Sequence, residues 1–211
     1  MATNKLRIVP LGGLGEVGKN MTAIEYGRNV IIIDAGVMFP EYDMLGVDLV
    51  IPDYGEYLKD KKTWVRGIIV THGHEDHIGA IPYLLNDIKA PIYATRLTAG
   101  LIEVKLKEKG QSDQVTMNLI TPGQRISLGG LFEIEFFHVC HSIPDAVGLA
   151  IRTPAGLVVH SGDFKFDYTP TWGSPPDFGA LARFGTEGTL VLLADSTNAD
   201  KPGFTPSERT V

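Results

Sequence analysis

The chain of 211 residues has a single cysteine, Cys140. One thiol permits no internal disulfide, and such sparing use fits a reducing cytoplasm. No apolar run approaches the roughly 18 residues that a membrane-spanning helix requires, so no membrane partner is expected. The first residues, MATNKLRIVPLGG, lack the apolar core of a secretory signal. Basic side chains are also short: 19 against 25 acidic ones, a formal net charge of −6. A general nucleic-acid coat normally carries a basic surplus, so that class is disfavoured, whereas an enzyme with a locally cationic site is not. Low-complexity segments and repeats of fixed period are missing too. With 44% hydrophobic residues, the composition is that of a chain with a substantial core rather than a disordered one.

What is present begins with short β-branched runs punctuated by Gly, Pro, Asn or Asp. LRIVPL, MTAIEY, NVIIIDAG, VRGIIVTH, PIYAT, FEIEFFHV, VGLAIRTP, GLVVHSGD and TLVLLADST all read as strands. Helical spacing follows His77 (Ile78, Ile81, Leu84, Leu85), where Pro82 is tolerable only near the first turn. It recurs from about Leu97 to Lys109, with Leu101, Val104 and Leu106 expected inward, and over Phe178 to Phe184. This order predicts a layered α/β domain with two sheets and flanking helices. From STNADKPGFTPSERTV the periodicity ends and turn residues dominate, as at the entrance to a further segment.

LGGLGEVGKN contains Gly13-x-Gly15-x-x-Gly18, the letters of a dinucleotide-binding loop. That loop works only between a strand and a helix, whose N-terminus holds the phosphate. Here MTAIEYG follows, which alternates like a strand, so a tight glycine-built loop approaching a site is expected, with Asn20 pointing in.

THGHEDHIGAIP is the densest chemistry in the chain, holding three of its six histidines. Imidazole and carboxylate are usual ligands of zinc and similar divalent ions. His72 and His74, two apart in an extended turn, can converge on one ion, with Gly73 relieving crowding between them. Asp76 and His77, where the chain bends into a helix, face a neighbouring position. The alternative is a polar loop with Asp76 as a helix cap. Further candidates are His141 and Asp163, both at strand ends, where the Asp163 carboxylate could bridge two ions. His138 and His160 read as packed histidines or as supports behind the ligands rather than ligands themselves, and Cys140 as a small buried hydrophobe. Asp34, closing NVIIID, is expected to orient the histidine loop by hydrogen bonds; a simple strand-end cap is the other reading.

Asp34, His72-x-His74-x-Asp76-His77, His141 and Asp163, in that order, resemble the metallo-β-lactamase superfamily. VPLGGLGEVGKN, PEYDMLGVDLVIPD, THGHEDHIGAIPYLL, HSIPDAVGLAIRTPAG, HSGDFKFD and ADSTNADKPGFTPSE resemble, more narrowly, its β-CASP group and the ribonuclease J family. The resemblance implies an αββα sandwich whose first part spans residues 1–195, with 196–211 beginning a β-CASP insert cut short here. It implies RNA phosphodiester hydrolysis, endonucleolytic and 5′-to-3′ exonucleolytic, in RNA maturation and decay. Two divalent ions, zinc first and manganese as the alternative, would be held by His72, His74, Asp76, His77, His141 and Asp163. Asp76, His77 and Asp195 would be the catalytic residues, Asp195 steadying a proton donor from the insert. RNA as partner, a dimer or tetramer of the full-length protein, cytoplasmic location and an inactive isolated fragment complete the expectations.

Overall fold

The computed structural model describes residues 5–210; Met1–Asn4 and Val211, the outer ends of the two expected segments, lie outside it. Eleven strands form two sheets. The first runs β1 (Leu6–Gly12), β2 (Met21–Tyr26), β3 (Asn29–Ile33), β4 (Val65–Ile69), β5 (Ile92–Ala94), β6 (Met117–Leu119), in that spatial order. Its first three strands are antiparallel, and β3 to β6 are parallel. The second sheet has the order β11 (Thr189–Leu193), β10 (Gly156–His160), β9 (Val147–Thr153), β8 (Phe132–His138), β7 (Arg125–Leu128), antiparallel except between β10 and β11. Helices α1 (Gly55–Leu58), α2 (Glu75–Ile78), α3 (Ile81–Asp87) and α4 (Arg96–Glu108) lie in the first half, and α5 (Phe178–Glu187) in the second.

The period of two along the strands builds the layers. In β3, Val30 and Ile32 join Ile81, Leu84, Leu85, Ile102 and Leu106 beneath the helices. Their neighbours Ile31 and Ile33 face Phe132, Ile134 and Phe136 of β8 in the seam between the sheets. Phe137, next along β8, turns outward to Phe184 of α5, their rings edge to face with centroids 5.4 Å apart. Helix, sheet, sheet, helix is the expected αββα sandwich. Helix α5 starts where the Asp177 carboxylate accepts the Ala180 N–H at 2.9 Å and stops at Gly188 in the left-handed region, the usual pair of cap signals.

Three local expectations change. The helix after His77 is two short ones, broken at Gly79–Ala80, and Pro82 falls in the first turn of α3. In α4, Leu106 is buried and Leu101 packs against the core, but Val104 is 57% exposed; Ala99 and Ile102 take the inward positions instead. Strands β6 and β7 escape the sequence pattern because each is a sheet edge of three or four residues with one neighbour.

Candidate metal centre

The candidate residues lie at strand ends and the turns that follow, on one rim of the sandwich. His72 and His74 occupy the turn between β4 and α2, Asp76 and His77 the first turn of α2, His141 the loop after β8, and Asp163 the turn after β10. His74 Nδ1 is 3.1 Å from His72 Nε2 and 3.1 Å from His141 Nε2. Those two spacings are close to the ~3.3 Å edge expected of a tetrahedron with zinc–nitrogen bonds near 2.05 Å, and all three nitrogens lie within 4.8 Å of one another, so the donor set fits a metal ion. A second group forms beside it: His77 Nε2 is 3.5 Å from Asp76 Oδ2 and 3.4 Å from Asp163 Oδ2. The same Asp163 oxygen lies 3.7 Å from His141 Nε2 and 4.0 Å from His72 Nε2. It stands between the two groups.

Asp34 organises this rim. It is 2% exposed, with φ of +60°, a conformation non-glycine residues seldom adopt. Its carboxylate accepts the Thr71 N–H, the Thr71 hydroxyl and His77 Nδ1–H, each at 2.8 Å. Because Thr71 gives its only proton to Asp34, its oxygen is left to accept from His72 Nδ1, 3.0 Å away. One carboxylate therefore orients two histidines: His72 is left with a bare Nε2 facing the cluster, and His77, held at Nδ1, turns its Nε2 toward Asp163. Thr71 had no place in the sequence reading; its signal was a fully buried hydroxyl residue closing an apolar strand.

The glycine motif is a strand-to-strand loop between β1 and β2, so the dinucleotide reading fails on context. Its Asn20 does point in: Nδ2 reaches Asp76 Oδ2 and the Asp76 carbonyl, each at 3.1 Å. Gly36 lets the backbone after β3 press against the histidine turn, since a Cβ there would sit 1.5 Å from the Asp76 carbonyl oxygen. Gly73 has a different reason from the one expected. The space its Cβ would take belongs to Leu101 Cδ1 of α4, 2.5 Å away.

Charges follow this geometry. Burial, then repulsion from His77, drives the His72 pKa down to about 2. Burial also disfavours a charged His77, but Asp34 and Asp163 overcome it and raise its pKa to about 10. Burial pushes Asp163 up, and the hydrogen bond and charge of His77 outweigh it, leaving a pKa of about 2. His141 is lowered by burial.

The remaining candidates stand apart from the cluster. His138 Nε2–H donates to the Ser174 carbonyl at 2.8 Å, and Cys140 Sγ donates to the same oxygen at 3.3 Å. His160 Nδ1 accepts the Gly162 N–H at 3.0 Å, shaping the turn that presents Asp163. Asp195 follows β11; its backbone N–H is held by the Ser161 hydroxyl at 3.0 Å, and its carboxylate accepts Thr197 N–H at 2.8 Å. Asp195 is felt at the rim only through its charge on His141. Asp76 caps no helix, since no side chain caps α2.

Sandwich and cluster together define a metallo-β-lactamase fold with a divalent-metal site at the strand ends. Residues 14–196 match the metallo-beta-lactamase superfamily, and the chain belongs to it. It is 51% identical over 212 residues to ribonuclease J of Corynebacterium glutamicum, covering 99% of this chain and 29% of that protein. Ribonuclease J2 of Bacillus subtilis is 44% identical across 99% of this chain and 37% of its own length. The chain thus spans about a third of the curated relatives it matches. Among solved structures, a protein of unknown function from Enterococcus faecalis superposes with a TM-score of 0.66, over 97% of this chain and 53% of that one, at 18% identity. YhfI of Bacillus subtilis gives 0.53 over 77% of this chain and 64% of its own, at 16% identity. These two share the fold.

Proposed function

We propose that the chain is the metal-holding part of a ribonuclease that hydrolyses RNA phosphodiesters, cutting internally and from the 5′ end, in RNA maturation and decay. The observation that carries this is the adjacency of two groups able to hold a metal, His72, His74 and His141 in one and His72, His77 and Asp163 in the other, with Asp163 Oδ2 3.4 Å from His77 Nε2 and 3.7 Å from His141 Nε2. The similarity to ribonuclease J over nearly the whole chain directs that centre to RNA.

In this reading His72, His74 and His141 would hold one ion, and Asp76, His77 and Asp163 would complete the centre for a second. Two divalent ions, zinc first and manganese as the alternative, supply Lewis acidity toward water and toward the phosphate oxygens. Asp34 and Thr71 aim both Nε2 atoms at the centre, where His77 would give up its proton to an ion, and Asn20 holds the Asp76 carboxylate in place. Asp76 and His77 belong to the reacting centre, and Asp195 steadies the group that protonates the leaving oxygen. Residues 1–195 form the metallo-β-lactamase part and 196–211 open the β-CASP segment. A cytoplasmic dimer or tetramer acting on RNA is the matching assembly. The test is metal analysis of protein purified without added metal, joined to a substrate panel of RNA, a thioester and a lactam. The chain by itself is expected to be inactive, so cleavage is assayed in the full-length protein, where His74→Ala and Asp163→Ala should abolish it with the fold largely intact. Turnover of the thioester or lactam without RNA cleavage sinks the proposal.

A further inference from the structure

A cavity of about 210 Å³ opens beside His141, between the loop after β8 and the segment that follows Asp163. Trp172 lines it and is 78% exposed. A bare indole that size is costly to leave in water. Its aromatic neighbours along the chain are used differently: Phe166 and Tyr168 pair with Phe178, whereas Trp172 has no aromatic or cationic partner among the described residues. The loop that carries it is nonetheless held, because the Ser174 carbonyl two residues on is the shared acceptor of His138 and Cys140. That is the use the structure finds for those two side chains.

The charge lining the cavity excludes a phosphate seat. Its one cation, Lys165, stands 4.0 Å from Asp167 Oδ2 and 3.9 Å from Glu208 Oε1, and Asp145 adds a third carboxylate. The volume is below the ~300 Å³ at which sites for drug-sized ligands begin. What fits is a flat, uncharged ring with polar edges, placed one step from the metal cluster. We infer that Trp172 and this cavity seat an unpaired nucleobase of the strand whose phosphate lies at the His141 side of the centre. The inference rests on the ribonuclease reading and adds a base seat to it; base stacking on an aromatic side chain tolerates any sequence.

Adenosine 5′-monophosphate and ribose 5-phosphate, neither with a phosphodiester to cut, are titrated into the metal-loaded full chain by calorimetry. The expected result is that the nucleotide binds about tenfold more tightly, the scale of one stacked base. Trp172→Ala should remove that advantage and Trp172→Phe keep most of it, with ribose 5-phosphate binding unchanged in both. Equal binding of the two ligands by the parent, or an advantage that survives Trp172→Ala, overturns the base seat. RNA cleavage is measured alongside on the full-length protein that continues through the β-CASP segment, because the 211-residue chain alone is expected to be inactive. Cleavage without the nucleotide advantage defeats the base seat alone, and no cleavage defeats the ribonuclease reading beneath it.

Discussion

The smallest unit that decides this site is the hydrogen-bonding capacity of Asp34. Its two oxygens accept three donors, which only an ionised carboxylate can do without presenting a proton of its own. In Asp34→Asn the amide must aim two N–H donors at Thr71 or His77, so at least one histidine loses its tautomer control. Removing such an orienting partner typically costs about 10–100-fold in metal affinity. A competition titration with a chelator should show that loss, with the folded state retained by circular dichroism. His138→Gln is the control, because its Nε2 serves Ser174 and not the cluster; unchanged metal content is expected there. An equal loss in both variants would mean that the rim responds to any disturbance of the sheet. The cluster residues were legible in the sequence, His72 to His77 because imidazoles and carboxylates at that spacing have few other reasons to crowd, and His141 and Asp163 because they close apolar strands. Thr71 was not, because a hydroxyl relay leaves no spacing pattern.

At the scale of elements, close approach matters more than periodicity. The turn after β3 and the start of α2 are laced by Asn20 N–H to the Asp76 carbonyl at 3.0 Å, Ala35 N–H to the His77 carbonyl at 2.8 Å and Val37 N–H to the Glu75 carbonyl at 3.1 Å. Gly36 lies inside that lacing, and the backbone atom its Cβ would strike cannot swing away as a side chain could. Gly36→Ala should therefore displace Asp76 and His77, lower the thermal midpoint and reduce bound metal; full metal content would show that the turn yields. Alternation and apolar runs revealed the longer strands, edge strands β1 and β11 included, and missed β6 and β7 because three or four residues are too few to show a period. On the outer face of the first sheet, buried Glu25 accepts Tyr57 Oη–H at 2.7 Å and Lys61 Nζ at 2.6 Å, and pairs with Arg7. Burial raises the Glu25 carboxyl, but the bonds from Lys61, Tyr57 and Arg7 together hold it below the usual glutamate range. A lowered carboxyl stabilises the fold above its unfolded value and loses that contribution as pH falls through the folded one. Urea midpoints of the parent should drop on acidification through that window, and Glu25→Gln should start about 1–3 kcal/mol lower at neutral pH with a weaker acid dependence. Identical pH profiles would remove Glu25 from the account.

For the whole molecule, the ligand candidates come from both sheets: four from the turn after β4, one after β8 and one after β10. Without an ion the rim concentrates groups that must share protons, His77 charged between Asp34 and Asp163 and His72 neutral. The net charge of −6 adds long-range attraction for cations that two divalent ions would partly neutralise. An ion bound across the seam therefore acts as a bolt between the sheets and stabilises only the folded chain. At free metal about 100 times the dissociation constant this amounts to about 2.7 kcal/mol. For a domain of this size that corresponds to a rise of roughly 5–11 °C in the unfolding midpoint. The rise should shrink as pH falls, because binding must displace the proton that His77 keeps up to a pKa of about 10. Scanning calorimetry with zinc, and with chelator, at two pH values measures both effects. His141→Ala, which cuts the second sheet's hold on the three-nitrogen group, should abolish most of the rise, whereas His160→Ala should lower the baseline midpoint and leave the metal increment in place. An increment untouched by His141→Ala would show that the turn after β4 binds metal by itself, and that the two sheets are not joined through it.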